Sequence, residues 1–416
     1  MKSKKSLILF VGLIVALLAM PLSAGCMGRT VAAAQGWSGI AGADGQLHYL
    51  TTVPGTGGGG FLGCGAATPQ SQLITLSATD GGVLRTMTFQ ESTVFYGAPV
   101  IVDGIAYLAG YNGLVYRVDT VSGGTPKSVR LGDRSQAIVG GVAVAGGRIF
   151  VASVGGSLYA LDANTLDEIW EFSAENVIWS TPIVSGDTVY IGSFDRTMYA
   201  LDVSNGQKKW SYTTDGAIVA TPIVSEGMVY VASLDRHLYA LDIVNGDLVW
   251  QFPAADATDI PNWFWATPVL IDGKIYAPNT NGQIYVINAE DGNLASELTT
   301  SGSIVSSPVI VGEKVVFVTE KGDVYVVNTT SQQFDGNPFS LRTVPASGTS
   351  NTNLIVRATL STLDGLVYIQ TTNPSRVFEF DPNTKDAREI GTKQSVATSP
   401  PPSSAVTVTV TVTTTG

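Results

Sequence analysis

The stretch that decides the fold is Thr181–Val219, which reads TPIVSGDTVYIGSFDRTMYALDVSNGQKKWSYTTDGAIV. The chain repeats most of it 40 residues later. Of the 30 positions from Thr181 to Trp210, 17 recur identically between Thr221 and Trp250. A period of about 40 residues with strand-like content is typical of propeller blades rather than of helical repeats. The repeat therefore predicts an all-β fold.

Four short runs rich in Val, Ile, Tyr and Trp make up the unit. They are Thr181–Val184, Thr188–Gly192, Thr197–Asp202 and Gln207–Thr213. Polar turns that contain Gly or Asn separate them, as is usual between paired strands. None of the runs shows the 3.6-residue periodicity of a helix. We expect a four-stranded antiparallel meander, which is one blade of a propeller.

Regularly spaced landmarks extend the repeat along the chain. Tyr190 is followed nine residues later by Tyr199 and twelve later by Asp202. The same spacing recurs, with different degrees of similarity, in copies that begin at His48, Tyr107, Phe150, Tyr230, Tyr276, Val316 and Tyr368. The copy at His48 is the most degraded. Eight copies predict an eight-bladed β-propeller that occupies residues 37–393.

The N-terminus has the three-part layout of a secretory signal. Met1–Lys5 is basic, Leu7–Met20 is fourteen residues without a charge, and small residues precede Cys26. Fourteen apolar residues fall short of the ~20 that a spanning helix needs. We expect residues 1–25 to be a signal peptide and residues 26–36 to tether the propeller.

The segment Ser23-Ala24-Gly25-Cys26 resembles a bacterial lipobox, in which the cysteine is lipidated. It departs from that motif at Ser23, where an apolar residue is expected. Cleavage after Ala34 without lipidation is one alternative, and a retained N-terminal anchor is another. The prediction is an extracytoplasmic protein of the cell envelope, held at the membrane by a lipid on Cys26.

Charge excludes one class of partner. The chain has 23 basic and 34 acidic residues, a net charge of −11. Loss of residues 1–25 removes Lys2, Lys4 and Lys5, which leaves 20 basic residues and a net charge of −14. Such a protein repels phosphate backbones, so no nucleic-acid partner is expected.

Cysteine and histidine are too few for a disulfide framework or a zinc site. The two cysteines are Cys26 and Cys64, and the two histidines are His48 and His237. Cys64 is expected to be a small, half-buried side chain; a disulfide with Cys26 and a reactive thiol are the alternatives. No catalytic or metal-binding residue is predicted.

Two recurring residue types are expected to be structural. A tryptophan lies in the fourth strand, eight residues after an aspartate, in three successive blades: Trp170, Trp210 and Trp250 follow Asp162, Asp202 and Asp242. We expect each indole to pack between blades and each carboxylate to accept backbone N–H groups in the following turn. An active site needs one copy, so the regular repetition argues against catalysis.

Three insertions interrupt the repeat, at Thr51–Gln72, Ala254–Trp265 and Pro345–Leu354. They fall in loops that join strands 2 and 3, or that join strand 4 to the next blade. In a meander these two loop types share one face. Length variation on one face of a rigid ring is typical of a binding surface, so this face is predicted to contact the partner.

Two groups on this face are candidates for ligand contact. The partner-binding candidates are Trp263, Phe264 and Trp265, with Asp256 and Asp259 beside them. These aromatics either cap blade 6 or form an interaction hot spot. The dipeptides Asp195-Arg196 and Asp235-Arg236 recur between strands 2 and 3. They make ion pairs between blades or contact a ligand.

The C-terminal residues 394–416 have a different composition. They contain ATSPPPSS, followed by Ala405–Gly416, AVTVTVTVTTTG. A Pro/Ser/Thr run cannot bury a core and indicates a linker. The tail is predicted to be disordered, with an edge strand over the Val/Thr alternation as the alternative.

The motif Ala200-Leu201-Asp202-x-x-x-Gly206-x-x-x-Trp210, preceded by Val189–Ser193, resembles the repeat of PQQ-like (quinoprotein-type) β-propellers. The resemblance covers about 350 residues and implies an eight-bladed ring with a central channel. One branch of these propellers comprises quinoprotein dehydrogenases. Another comprises non-enzymatic, BamB-like lipoproteins of the outer-membrane barrel assembly machinery.

The resemblance implies the non-enzymatic branch. The dehydrogenases hold their cofactor with an adjacent Cys-Cys disulfide, a stacking Trp and a Ca²⁺ site, and this chain has no Cys-Cys pair. We therefore predict no cofactor and no enzyme activity. The expected function is a scaffold that binds a protein or extended polypeptide. A propeller that binds or senses a small molecule or carbohydrate is the alternative, and a quinoprotein dehydrogenase is the third hypothesis.

Overall fold

The computed structural model describes residues 38–53, 70–89, 91, 93–132, 136–254, 262–345, 354–372 and 375–391, with the backbone of 407–410. They lie in one compact unit, Ala34–Val53 with Pro69–Gly416. The other unit, Met1–Ala33 with Pro54–Thr68, is outside the described residues, as are Cys26 and Cys64. The predicted signal peptide, the whole predicted tether and most of the tail are outside them as well.

The described chain is built from eight antiparallel sheets in sequence order. Blade 1 contains β1 (Ile40–Ala43), β2 (Gln46–Val53), β3 (Gln70–Ser77) and β4 (Val83–Phe89). Blade 2 contains β5 (Val100–Val102), β6 (Ile105–Ala109), β7 (Leu114–Asp119) and β8 (Lys127–Arg130). Blade 3 contains β9 (Val142–Ala145), β10 (Arg148–Ala152), β11 (Ser157–Asp162) and β12 (Glu168–Ser173). Blade 4 contains β13 (Ile183–Ser185), β14 (Thr188–Gly192), β15 (Thr197–Asp202) and β16 (Lys208–Thr213).

The second half of the ring continues in the same way. Blade 5 contains β17 (Ile223–Ser225), β18 (Met228–Ala232), β19 (Leu238–Asp242) and β20 (Leu248–Phe252). Blade 6 contains β21 (Val269–Ile271), β22 (Lys274–Pro278), β23 (Gln283–Asn288) and β24 (Leu294–Thr299). Blade 7 contains β25 (Val309–Val311), β26 (Lys314–Val318), β27 (Asp323–Asn328), β28 (Gln333–Phe334) and β29 (Phe339–Ser340). Blade 8 contains β30 (Ser361–Leu363), β31 (Leu366–Thr372), β32 (Ser375–Asp381) and β33 (Asp386–Ile390).

These sheets confirm the predicted all-β, eight-bladed propeller of four-stranded antiparallel blades. Blade 7 departs slightly, because β28 and β29 both pair with β27 and together replace a single outer strand. Within the part of the chain that the structure describes, no helix is long and apolar enough to cross a membrane. The helical element of the described residues is a 3-10 turn at Leu341–Thr343.

Two segments differ in extent from the sequence prediction. The β2–β3 ladder runs out to Val53 and Gln70, so the blade 1 insertion is confined to residues 54–69. In the C-terminal tail, Thr407–Val410 forms a strand, β34, that pairs parallel to β4 at the outer edge of blade 1. For these four residues the edge strand, which is the alternative to a disordered tail, is present.

The hydrophobic core is divided among the blade junctions. Each of eight buried clusters draws its residues from two neighbouring blades. The cluster of blades 3 and 4, for example, joins Phe150, Leu158 and Trp170 to Ile191 and Leu201. Blade 8 meets blade 1 in the same way, and the Gln370 side-chain amide donates to the Leu50 carbonyl at 2.7 Å. The ring is therefore stabilised by burial between blades.

Small residues let the innermost strands converge. A Cβ atom on Gly97 would lie 2.5 Å from the Gly141 Cα, and one on Gly140 would lie 2.8 Å from the Ser180 carbonyl oxygen. Hydroxyl groups then join successive inner strands. The Thr181 Oγ1 accepts the Gly141 amide at 2.8 Å, and the Thr267 Oγ1 accepts the Thr221 amide at 3.1 Å. Close approach explains why Gly, Ala, Ser and Thr recur at these positions.

The repeated tryptophan and the repeated aspartate belong to one contact. The Asp202 carboxylate accepts the Ser204 amide at 2.8 Å and so shapes the turn that ends at Gly206. Trp170, from the preceding blade, lies over that turn and donates its indole N–H to the Val203 carbonyl at 3.0 Å. A Cβ atom on Gly206 would lie 2.6 Å from the indole ring. Only glycine therefore fits beneath the tryptophan.

The contact of the tryptophan with the turn recurs at the next two blade junctions, although the turn that ends at Gly292 follows Asn288 in place of an aspartate. Trp210 lies over Gly246 and donates to the Ile243 carbonyl at 3.0 Å. Trp250 lies over Gly292 and donates to the Ala289 carbonyl at 2.9 Å. The hydrogen bonds that Ser204 donates hold the pKa of Asp202 below its ordinary value, so the carboxylate stays ionised and keeps the turn in shape.

Blade 1 carries a buried histidine at a position where the repeat has a tyrosine. His48 stands where Tyr190 stands in blade 4, and only 2% of it is exposed. Its Nδ1 lies 3.1 Å from the Thr75 Oγ1. Burial lowers the pKa of His48 to about 4, with Asp44 opposing the shift and Arg85 adding to it. The folded protein therefore holds the imidazole neutral at mildly acidic pH.

We expect Trp210→Ala to destabilise the propeller by roughly 3–5 kcal/mol, because it empties the space above Gly246 and leaves the Ile243 carbonyl without its donor. Thermal unfolding followed by circular dichroism measures the effect. Val244→Ala is the control, since Val244 is 80% exposed in the neighbouring turn. A melting temperature that Trp210→Ala leaves unchanged would contradict the packing role.

Acid should destabilise the wild-type chain through His48. Between pH 6.5 and 4 the unfolded chain binds a proton that the folded chain does not, which costs up to roughly 3 kcal/mol. His48→Gln cannot titrate, so its stability should fall less over the same interval. Urea unfolding of both proteins at pH 7 and pH 4.5 measures the difference. Equal losses of stability in the two proteins would show that His48 does not titrate as described.

Candidate functional site

One face of the ring is defined by a hydrogen bond that occurs in seven blades. A residue at the end of the second strand, or two positions beyond it, donates its amide to the segment that enters the same blade, at 2.7–3.2 Å. The pairs are Tyr111–Val94, Val154–Ala137, Phe194–Val177, Leu234–Ala217, Thr280–Trp263, Glu320–Ser303 and Thr372–Ile355. Because both loop types with insertions are joined by these bonds, the insertions share this face. We call it the entry face.

The opposite face is built from the other two loop types. Here the residue after the third strand donates its amide to the turn between strands 1 and 2, as Val203 does to Asp187 at 3.0 Å and Ile243 to Gly227 at 2.9 Å. Between blades 5 and 6 these turns border an open groove of about 530 Å³. Its lining includes Glu226, Asp272 and Glu290, so the groove is acidic.

The segments that enter the blades have a simple alternation of burial. In each, one side chain is buried in the junction and the next is half-buried beside the innermost strands. The buried set is Phe95, Ile138, Ile178, Ile218, Phe264, Ile304 and Val356. The half-buried set is Tyr96, Val139, Trp179, Val219, Trp265, Val305 and Arg357. We call this second set the rim, since it surrounds the axis of the ring on the entry face.

The aromatic triplet of blade 6 is split by this alternation. Phe264 is 0% exposed and packs edge-on against Tyr285, with 6.0 Å between ring centroids. Its side chain is therefore a core residue, contrary to the expectation that it contacts a partner. Trp263 and Trp265 on either side are half-buried. The predicted neighbours Asp256 and Asp259 lie outside the described residues.

Two further rim side chains pack against aromatic neighbours. Trp179 packs edge-on against Phe194 with 4.6 Å between ring centroids, and Tyr96 packs edge-on against Tyr111 at 5.6 Å. Burial, with Tyr111 nearby, raises the pKa of Tyr96 to about 12, so its hydroxyl remains neutral. Among the described residues the Trp179 indole N–H has no hydrogen-bond acceptor.

Arg357 brings a charge to the rim, but the charge is neutralised. Its guanidinium contacts the Glu320 carboxylate through Nη2 at 2.6 Å and Nε at 2.7 Å. Such a charge-assisted pair fixes the side chain across the junction of blades 7 and 8. The rim is therefore apolar and aromatic at six of its seven described positions.

The turns with Asp-Arg dipeptides border the rim directly. The Asp195 carboxylate accepts the Thr197 amide at 2.9 Å, the Tyr199 hydroxyl at 2.8 Å and the Glu175 amide of the preceding blade at 3.0 Å. Asp235 repeats this arrangement with His237, Tyr239 and Asp215. The expected contact between blades is present, but a backbone amide takes the place of an ion pair.

Repeat alignment alone could have located the rim. Trp179, Tyr96 and Arg357 lie two residues before the positions equivalent to Thr181, as Trp265 does. Of these four residues only Trp265 is marked as a candidate by the sequence, because its segment also carries an insertion. Among the described residues, no group of three or more His, Cys, Asp or Glu side chains is placed to hold a metal ion.

The fold and the site define this protein as a propeller of eight PQQ-like blades with an apolar rim on its entry face. A family model described as outer membrane protein assembly factor BamB matches residues 112–219 and 209–388, well over half of the chain. The chain therefore belongs to this family.

Curated relatives match over shorter segments. BamB of Salmonella typhimurium is 33% identical over 93 residues, 21% of this chain and 24% of that protein. The 1-butanol dehydrogenase (cytochrome c) of Thauera butanivorans is 29% identical over 111 residues, 25% of this chain and 16% of the enzyme. The chain thus matches less than a quarter of the length of either relative.

Solved structures support the fold over a larger share of the chain. BamB from Moraxella catarrhalis superposes with a TM-score of 0.62 at 17% identity, covering 82% of this chain and 92% of that one. The computationally designed Ika8 protein gives 0.63 at 16% identity, covering 83% and 98%. At these identities the likeness concerns the fold alone.

Proposed function

We propose that this chain is a non-enzymatic scaffold that binds an extended polypeptide at the rim of its entry face. The observation that carries the proposal is the arrangement of Trp263 and Trp265. The buried Phe264 between them anchors the segment in the core, so two large aromatic side chains are held half-exposed without being free to collapse inward. Tryptophan held in this way is typical of interaction hot spots.

The chemistry of the rim favours a polypeptide over a carbohydrate or another polar small molecule. A site for a polar ligand needs convergent polar side chains, whereas the described rim consists of aromatic and valine residues with one arginine. Glu320 already pairs with that arginine. Apolar side chains of an extended partner fit such a surface, and its backbone can bond to the exposed loops.

Two further observations support a role without catalysis. The adjacent cysteine pair with which quinoprotein dehydrogenases hold their cofactor is absent from the sequence. The match to 1-butanol dehydrogenase spans only 16% of that enzyme, which is a share that repeated blades alone can supply. We accordingly assign no catalytic residue and no cofactor.

We further propose that the protein acts outside the cytoplasm, exported by residues 1–25 and anchored through a lipid on Cys26. The name of the family, outer membrane protein assembly factor BamB, supports an envelope location and a protein partner. The strong negative charge of this chain is consistent with a partner other than nucleic acid.

Replacing both Trp263 and Trp265 by Ala should abolish capture of the partner from solubilised membranes of the native cells. Phe264 keeps the segment in place, so the far-UV circular dichroism spectrum should stay unchanged. Purified wild-type and variant proteins on beads, followed by mass spectrometry of the retained chains, give the measurement. Val244→Ser, on the opposite face, is the matched control and should retain the partner. If the double variant retains the partner and Val244→Ser loses it, the binding site lies on the opposite face and the proposal is contradicted.

A further inference from the structure

We propose that Arg196 and Arg236 form a paired cationic site for the carboxylates of an acidic segment of the partner polypeptide. The inference rests on the proposed function and adds the chemistry of the partner. Both arginines end the turn between strands 2 and 3, on the entry face, in the adjacent blades 4 and 5.

The two arginines occupy a position that otherwise belongs to glycine. The equivalent residues Gly113, Gly156, Gly282 and Gly322 all have a positive φ, between 78° and 88°. Arg196 and Arg236 have φ values of 74° and 78°. This left-handed conformation is strained for a residue with a Cβ and comfortable for glycine. Strain kept in two adjacent blades indicates that the side chains have a use that the turn itself does not require.

The neighbouring aspartates form no ion pair with these arginines, because their carboxylates are held by other groups. Three hydrogen bonds from within the chain occupy each carboxylate, and bonds from His237 and Tyr239 hold the pKa of Asp235 below its ordinary value although burial opposes this. Within the described residues, neither guanidinium forms an ion pair or a side-chain hydrogen bond. Arg196 is exposed and Arg236 is partly exposed.

A short segment ties the two turns together. The Thr214 amide donates to the Arg196 carbonyl at 2.8 Å, and the next amide, of Asp215, donates to the Asp235 carboxylate at 2.9 Å. The two arginines therefore flank one inter-blade loop and can engage a single bound segment. Asp215 is exposed on the same loop, and Asp195 and Asp235 directly precede the arginines, so the guanidinium groups would attract an anion through direct contact and not through a positive local field.

Adjacent apolar groups favour carboxylates on a polypeptide over a free phosphate or a lipid headgroup. Phe194, two residues before Arg196, packs against Trp179 of the rim. Leu234, at the same place before Arg236, is buried. A segment that alternates apolar and acidic side chains would set the former on the rim and offer the latter to the guanidinium groups, which match carboxylate geometry.

The first test is stability. Arg196→Gly and Arg236→Gly restore the residue that the equivalent turns of other blades carry. We expect the melting temperature of each variant to stay the same or rise, because the strain is relieved and no internal contact is lost. A fall in melting temperature larger than the added freedom of glycine in the unfolded chain can explain would show that the guanidinium is paired within the chain, and would overturn the inference.

The second test is binding of a defined probe to the full-length protein. A fluorescent 12-residue peptide of alternating Val and Glu should bind the wild type, and the same peptide with Gln for Glu should bind at least about ten-fold more weakly. Arg196→Gly/Arg236→Gly should lose the preference for Glu and the salt dependence of binding. Equal binding of both peptides, no binding of the acidic peptide, or a preference that the double variant keeps would each overturn the inference.

Two comparisons separate this inference from the scaffold proposal and from a membrane role. Peptide binding that depends on Trp263 and Trp265 but not on the arginines would leave the scaffold intact and remove the cationic site. Binding that depends on neither pair would contradict both. Arginine-dependent binding to phosphatidylglycerol vesicles, with no preference between the Glu and Gln peptides, would assign the cations to a lipid headgroup and contradict the polypeptide assignment.

Discussion

The ring depends on contacts between neighbouring blades, and at three consecutive junctions the central contact joins a tryptophan to a glycine of the next blade. Trp170, Trp210 and Trp250 each lie over a side-chain-free residue and donate an N–H to the same turn. Asp202 and Asp242 shape the turns under Trp170 and Trp210 through backbone hydrogen bonds, so at these two junctions two features of the repeat serve one purpose. Since each hydrophobic cluster also lies between blades, no blade buries its own core, and stability comes from neighbour contacts, as in other repeat proteins.

A ring held in this way leaves its entry face free to vary. The inner strands are packed too closely to accept large side chains, as the crowding around Gly97 and Gly140 shows. The segments just outside them are fixed by one buried residue each, and the following residue can then differ from blade to blade. Trp179, Val219, Trp265 and Arg357 occupy equivalent places with different chemistry. Rigid anchoring beside variable side chains is how such a ring can acquire a specific partner.

Sequence alone predicted the blade number, the strand content and the structural character of the repeated residues, because a period of 40 residues is explicit in the chain. It left two interpretations of the aromatic triplet open, and Phe264, offered as a partner contact, follows the other one and caps blade 6, because an extended backbone turns successive side chains to opposite sides. The conformation of Arg196 could not be foreseen, because φ depends on the turn and not on residue type. The burial of His48 was hidden in the same way by the degraded first blade.

Site-specific photocrosslinking in native cells tests the central claim, that the rim of the entry face contacts a polypeptide, most directly. A photoreactive phenylalanine analogue would replace Val219 or Val305 on the rim, and Val121 or Val244 on the opposite face, where both side chains are more than two-thirds exposed. The account predicts covalent adducts with a polypeptide from the two rim positions and none from the other two. Adducts formed only from Val121 and Val244 would contradict it.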